Sequence, residues 1–314
     1  MFKTAFIFPG QGSQYIGMAR DFYEKLPECK EIFDIASREL NLDMQKLCFE
    51  ENELLNKTEY TQAAMLTSCV SILMAVLKSD VKPDIVAGLS LGEYSALVAN
   101  GVFTFSEAVK LVRKRGIYME HEVPNGIGSM SAILGMDKEK VEEICQKVSK
   151  ELNKVVEPAN FNCPGQIVIS GDKVAVLKAN EKLKEAGAKR AIELNVSGPF
   201  HSSLLKGAGE KLAMELEKIE LHDMNIPYLS NVTGKIVSDK ENIKKLLEEQ
   251  VYKSVRWQEC VENMINDGVE RFIEIGPGKT LSGFIKKIDK TKEVINIEKL
   301  EDLEKLTNVS IKKN

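Results

Sequence analysis

Histidine occurs three times in the 314 residues and tryptophan once, so any imidazole chemistry has to come from His121, His201 or His222. No two of the six cysteines, at 29, 48, 69, 145, 163 and 260, form a CxxC pair. That excludes the usual thiol-redox and zinc spacings and fits a reduced, cytoplasmic chain better than a disulfide-stapled one. Long apolar runs are missing too. The start, "MFKTAFIFPG", is too short in its apolar stretch for a signal peptide, and "MLTSCVSILMAVL", about 13 residues, reads as part of a buried helix and not as a membrane span. Neither sign of charge dominates: 43 Lys and Arg against 47 Asp and Glu leave a net charge of -4, which argues against a general nucleic-acid binder. There is no internal repeat or low-complexity tract, and the polar tail "SIKKN" is expected to fray.

What is present alternates in period. "TAFIFPG", "DIVAG", "RFIEIGPG" and "VINIE" are short apolar runs closed by turn residues or charge, the pattern of buried strands, with helical patterns over about 18–39, 61–79 and 105–121 between them. Strands alternating with helices imply a layered α/β core. Residues 126–197 follow another order, strand, helix, strand, strand, helix, strand, which is that of a split βαβ module. The chain therefore divides into 1–125 and 198–314 as two parts of a large α/β domain, with 126–197 inserted and a cleft between the two bodies.

The stretch "GLSLGEYSA" at 88–96 sits between one of those strands and a helix. Serine with glycine two positions to either side is the pattern of a nucleophile elbow, in which side chains at 88 and 92 would collide with the crossing of strand and helix. Ser90 would then stand at a helix start, where the Leu91 N–H is free to face an oxyanion. A serine N-cap gives the same letters without chemistry.

Two further residues bear on that serine. Ala108, Val112, Arg115 and Met119 share one helical face, otherwise apolar, so Arg115 is either a snorkelling residue with its head in water or a guanidinium inside a cleft, suited to a carboxylate. Among the histidines, His121 ends a helix and His222 lies in the turn-like "LHDMN". His201, in "SGPFHSSLL" just beyond the inserted module and stiffened by Pro199, is the candidate base for Ser90, titrating near neutral pH. "GPGKT" at 276–280 lacks the glycine at 273 that a P-loop needs, and reads as a structural turn with Lys279 in solvent.

"FPGQGSQ" at 8–14, "GLSLGEYSA", "RG" at 115–116, "PFHS" at 199–202 and "IGPGKTLSGF" at 275–284, in that order across almost the whole chain, resemble the malonyl-CoA:acyl-carrier-protein transacylases of fatty-acid synthesis. The resemblance implies a hydrolase-like layered α/β core carrying a small ferredoxin-like α+β subdomain. It implies Ser90 as nucleophile, His201 as base, Arg115 as partner of the malonyl carboxylate, and the backbone amides of Gln11 and Leu91 as the oxyanion hole. Gln250, in "LLEEQVY", would orient His201 through its main-chain carbonyl, its side chain mattering less, and Asn160 and Asn162 would line the cleft. Malonyl-CoA, coenzyme A and a holo acyl carrier protein are the implied partners of a monomer that needs no metal or resident cofactor and binds neither nucleic acid nor membrane. Two positions depart from the family: Leu89 stands where histidine is frequent and should point away from the serine hydroxyl, and Gly198 stands where alanine is common. A serine hydrolase with the same dyad, a transferase for a related acyl group in a polyketide-type pathway, and an idle carrier-protein-binding scaffold remain open at this level.

Overall fold

The computed structural model describes residues 2–311. The first strand, β1 (Lys3–Phe8), is buried along five of its six residues and divides the interior by its side-chain alternation. Phe6 and Phe8 point into one apolar cluster, Ala5 and Ile7 into another. A strand buried on both faces in this way belongs to the middle of a parallel sheet covered by helices.

The helices α1 (Arg20–Lys25) and α2 (Pro27–Leu40) replace the single helix expected over 18–39. Pro27 causes the break: it has no N–H to continue α1, whereas its fixed φ suits the first turn of α2. After α3 (Met44–Phe49) comes α4 (Thr58–Val76), buried on nearly all sides, which accounts for its largely apolar or small residues. Strand β2 (Ile85–Gly88) then leads through Leu89–Leu91 into α5 (Gly92–Ala99). Helix α6 (Phe105–His121) matches its expected range and is opened by a capping box between Thr104 and Glu107.

The next six elements are β3 (Gly128–Leu134), α7 (Lys138–Leu152), β4 (Val156–Cys163), β5 (Gln166–Asp172), α8 (Lys173–Glu185) and β6 (Arg190–Glu193). Their strands form a separate antiparallel sheet in the order β4-β5-β3-β6, the ferredoxin-like arrangement. The last strand is shorter than its sequence pattern, four residues in all. Ile167 and Ile169 of β5 face a cluster with α7 and α8, and Val168 faces the other way, toward the larger body.

The chain returns through α9 (Lys206–Leu216), the short strands β7 (Tyr228–Leu229) and β8 (Ile236–Val237), α10 (Ile243–Gln250), α11 (Trp257–Asn266), β9 (Val269–Ile275), α12 (Thr280–Ile288), β10 (Glu293–Ile297) and α13 (Glu304–Ile311). The larger sheet runs β10-β9-β1-β2-β7-β8, parallel except for the β7–β8 pair. One of its faces is covered by α4, α5 and α6, and the other by α11 and α12 around Trp257 and Phe284. Of the tail, residues 312–314 lie outside the described residues.

The two bodies are stitched by backbone. Val255 N–H donates to Ala159 O at 2.8 Å, Phe161 N–H donates to Val255 O at 2.9 Å, and the Ser254 hydroxyl donates to Pro158 O at 2.6 Å. This holds β4 as an extension of the larger body at the cleft. All six cysteines are buried free thiols, and burial pushes Cys48, Cys69 and Cys145 up to about 12. No helix among the described residues is long and apolar enough to cross a membrane.

Candidate active site

The elbow follows from two missing side chains. A Cβ on Gly88 would lie 2.0 Å from the Gly92 carbonyl, and one on Gly92 would lie 2.2 Å from Phe8 O. Strand end and helix start therefore pass in backbone contact, and the residue between them is forced into a left-handed conformation, with Ser90 at φ 52°. The serine is not an N-cap: no side chain caps the N-terminus of α5. Neither the Leu91 N–H nor the Gln11 N–H, in the loop after β1, is engaged by an acceptor among the described residues.

His201 is the second left-handed residue of the site, at φ 56°, and lies in the turn before Ser203–Leu205, short of the start of α9. Its Nδ1 is 2.7 Å from Gln250 O and its Nε2 is 2.8 Å from Ser90 Oγ. A carbonyl can only accept, so Nδ1 carries the proton and the Nε2 lone pair faces the serine hydroxyl. That is the tautomer a general base requires. Burial, reinforced by the Arg115 charge, lowers His201 from its ordinary 6.5 to about 3. That direction, below the near-neutral range expected from the sequence, keeps the resting imidazole neutral.

Arg115 is 1% exposed, which removes the snorkelling alternative. Its Nη1 donates to Gln62 Oε1 at 2.8 Å, and its Nη2 donates to Gln250 Oε1 at 2.9 Å and to Ser90 Oγ at 3.3 Å. The guanidinium also lies over the Tyr94 ring, 5.4 Å from the centroid. These partners are all neutral. A buried cation whose direct contacts are amides, a hydroxyl and a ring, with the Glu93 carboxyl acting on it only from behind Gln250, keeps attraction to spare for an incoming anion.

Ser90, His201, Arg115, Gln11, Asn160 and Asn162 line one cleft of about 570 Å³. The alternation along β4 turns Asn160 and Asn162 to the cleft and Phe161 to the small core. Leu89 continues the Ile85 and Ala87 face into the cluster around Trp257, as expected of a strand, yet it also lines the cleft wall. At Gly198 an added Cβ would lie 3.2 Å from the ring of Phe200, another wall residue, so glycine there leaves that ring unpressed. His121 is exposed at the end of α6, and His222 is exposed, 3.5 Å from Glu107. The "GPGKT" segment is a turn, with Gly276 at φ 138° and Lys279 exposed. No cluster of three or more His, Cys, Asp or Glu with metal-holding geometry occurs among the described residues.

Beyond its main-chain contact to His201, Gln250 is also engaged through its side chain. Besides accepting from Arg115, it donates through Nε2 to Ser90 O at 3.0 Å and to Glu93 Oε2 at 2.7 Å. Glu93, Asn231 and Gln62, all fully or almost fully buried, were not found from sequence. Only Gln62 left a signal, as an amide within a helix apolar on every side. Burial pushes the Glu93 carboxyl up to about 7, against the hydrogen bonds from Asn231 and Gln250 that favour its ionised form.

A serine in a strained strand-to-helix turn, with the lone pair of a histidine on its hydroxyl, is the arrangement of a serine enzyme that transfers acyl groups. The Acyl transferase domain family matches residues 5–305, and the chain belongs to that family. A curated relative from Bacillus subtilis (strain 168), malonyl CoA-acyl carrier protein transacylase, is 48% identical over 97% of this chain and 96% of its own length. The crystal structure of malonyl CoA-acyl carrier protein transacylase from Clostridium perfringens superposes with a TM-score of 0.94 at 50% identity, covering 99% of this chain and 98% of the other. A malonyl-transacylase solved in complex with its holo type II PKS acyl-carrier protein gives 0.93 at 42% identity, over 98% of this chain and 99% of that one.

Proposed function

We propose that this protein transfers a malonyl group from malonyl-CoA to the phosphopantetheine thiol of an acyl carrier protein in fatty-acid synthesis, through an ester on Ser90. The observation that carries the reading is Arg115: a buried cation whose direct hydrogen-bond partners are all neutral, 3.3 Å from the candidate nucleophile, in the same cleft as the Ser90–His201 pair. A thioester that carries a second, free carboxylate satisfies both features at once.

The chemistry follows from the geometry. Ser90 Oγ attacks the thioester carbonyl carbon while its proton passes to His201 Nε2, and Gln250 O holds the imidazolium through Nδ1. Charge moves to the carbonyl oxygen, which accepts from the Gln11 and Leu91 amides. Collapse breaks the carbon–sulfur bond, and the coenzyme A thiolate leaves with the proton from His201. The carrier thiol then gives its proton to His201, attacks the ester and releases Ser90 in the same way. No step asks for a metal or a resident cofactor. Asn160 and Asn162 offer amides to the incoming acyl chain from the small sheet. We also divide the chain into a large domain of 1–125 and 198–314 with a subdomain of 126–197, and read it as a cytoplasmic monomer that binds neither nucleic acid nor membrane. The sheet memberships support the division, and the six reduced thiols support the compartment.

The test is donor selection. Arg115→Ala leaves the malonyl carboxylate unpaired in a shielded cleft, a loss of about 2 to 5 kcal/mol in transition-state binding. Acetyl-CoA has no carboxylate to lose, so the ratio of kcat/KM for malonyl over acetyl donors should fall steeply. Arg115→Lys should recover part of it, because an ammonium cannot reproduce the fork. A ratio unchanged by both substitutions would remove Arg115 from donor recognition.

A further inference from the structure

The Ser90 backbone is held by side chains from far along the chain. Its N–H donates to Asn231 Oδ1 at 2.6 Å, while Asn231 Nδ2 donates to Gly88 O at 2.7 Å. One amide therefore spans the elbow and clips the residue before the turn to the residue at its apex. Its orientation is fixed, since a flipped amide would set NH₂ against N–H and oxygen against carbonyl. Asn231 is in turn fixed by its own backbone: its N–H donates to Glu93 Oε2 at 3.0 Å, and its carbonyl accepts from Arg256 N–H at 2.8 Å.

Glu93 Oε2 takes a second donor, Gln250 Nε2 at 2.7 Å. That contact sets the Gln250 amide with its oxygen toward Arg115 and its nitrogen toward Ser90 O. Both Asn231 and Glu93 are 0% exposed, so each donor they satisfy would otherwise be buried without a partner. Glu93 also sits in the first turn of α5, where the helix end favours an acidic side chain.

We propose that Asn231 and Glu93 are positioning residues of acyl transfer, Asn231 holding the left-handed serine and Glu93 holding both Asn231 and, through Gln250, the arginine that selects the donor. This rests on Ser90 being the nucleophile. The two branches separate in their effects. The Asn231 side chain touches the elbow alone and so governs the acylation rate. Glu93 reaches the elbow and Arg115, and so governs both rate and donor preference.

The experiment is single-turnover acylation of the full chain by malonyl-CoA and by acetyl-CoA, read by intact mass and normalised to folded protein. Asn231→Leu keeps the branched outline with somewhat more bulk and loses both hydrogen bonds, so malonyl loading should slow about 100-fold at saturating donor, as expected for a misplaced nucleophile. Its donor KM and malonyl-over-acetyl preference should stay near the parent values. Asn231→Asp retains the acceptor for Ser90 N–H but cannot donate to Gly88 O as a carboxylate, and should slow loading about tenfold. Glu93→Gln, whose amide oxygen can accept from both donors, should stay within about threefold of the parent, whereas Glu93→Leu should lose both rate and preference. Should the leucine variants not fold, Asn231→Asp decides. Loading at the parent rate by Asn231→Leu or Asn231→Asp, or equal loss of donor preference in Asn231→Leu and Glu93→Leu, overturns the proposal while Ser90 stands. Continued labelling of Ser90→Ala at the parent rate would overturn the nucleophile and the brace together.

Discussion

At the scale of single residues, His201 is almost fully buried beside the Arg115 charge. The same burial that keeps it neutral at rest links it to stability. In the unfolded chain it binds a proton at its ordinary value of 6.5, and in the folded chain only near 3. Between those values the unfolded state holds more protons, so the His201 contribution to stability is fully present above 6.5 and is lost as pH falls toward 3. Urea unfolding of the parent and of His201→Ala from neutral to acid pH should show the parent losing stability more steeply through that window. Parallel curves would contradict the buried, neutral imidazole. Ser90, His201 and Arg115 were legible in the sequence because each stands in a short pattern with a mechanical reason: glycines around a turn, a proline-stiffened segment, a charge on an apolar stripe. Glu93 and Asn231 were not, because what marks them is distance along the chain. The Ser90–Asn231 contact spans 141 positions, which no local pattern reports.

Among the elements, the passage from β2 to α5 does most to fix the site. Its sterics make a sharp prediction for Gly92→Ala, whose Cβ would meet Phe8 O at 2.2 Å and Pro9 O at 2.8 Å, both backbone atoms that cannot rotate away. The substitution should cost about 1 to 3 kcal/mol of folding stability in urea titration and displace Ser90 enough to suppress acyl loading. Alanine accepted without change in either measurement would show that the helix does not pass so close to β1. The positions of β1, β2, β9 and β10 were readable as short strand-like runs, since burial on both faces of β1 and β2 leaves these nearly continuously apolar, whereas the two-residue strands β7 and β8 were not. Where reading fell short the causes are local. Pro27 splits one helical pattern into two, and the last strand of the small sheet pairs over only four residues although its apolar alternation continues. The β4 stitch through Val255 carries no sequence signature at all, because it is made by backbone atoms.

For the whole molecule, the arrangement of two sheets around one cleft converts these local features into a transfer enzyme. The parallel sheet supplies the elbow and, through α6, the arginine. The segment between the small sheet and α9 brings the histidine, and the small sheet itself supplies the opposing wall. On the proposed mechanism both half-reactions use one serine, so a covalent intermediate stands between donor and acceptor and resides on Ser90. The most direct test is to mix the parent and Ser90→Ala with malonyl-CoA alone, measure intact mass, and then add holo acyl carrier protein. The parent should gain one malonyl group, about 86 Da on Ser90, and pass it to the carrier, as a two-step covalent mechanism requires, while Ser90→Ala gains nothing. An unlabelled parent that still malonylates the carrier, or a Ser90→Ala variant labelled as fast as the parent, would contradict it.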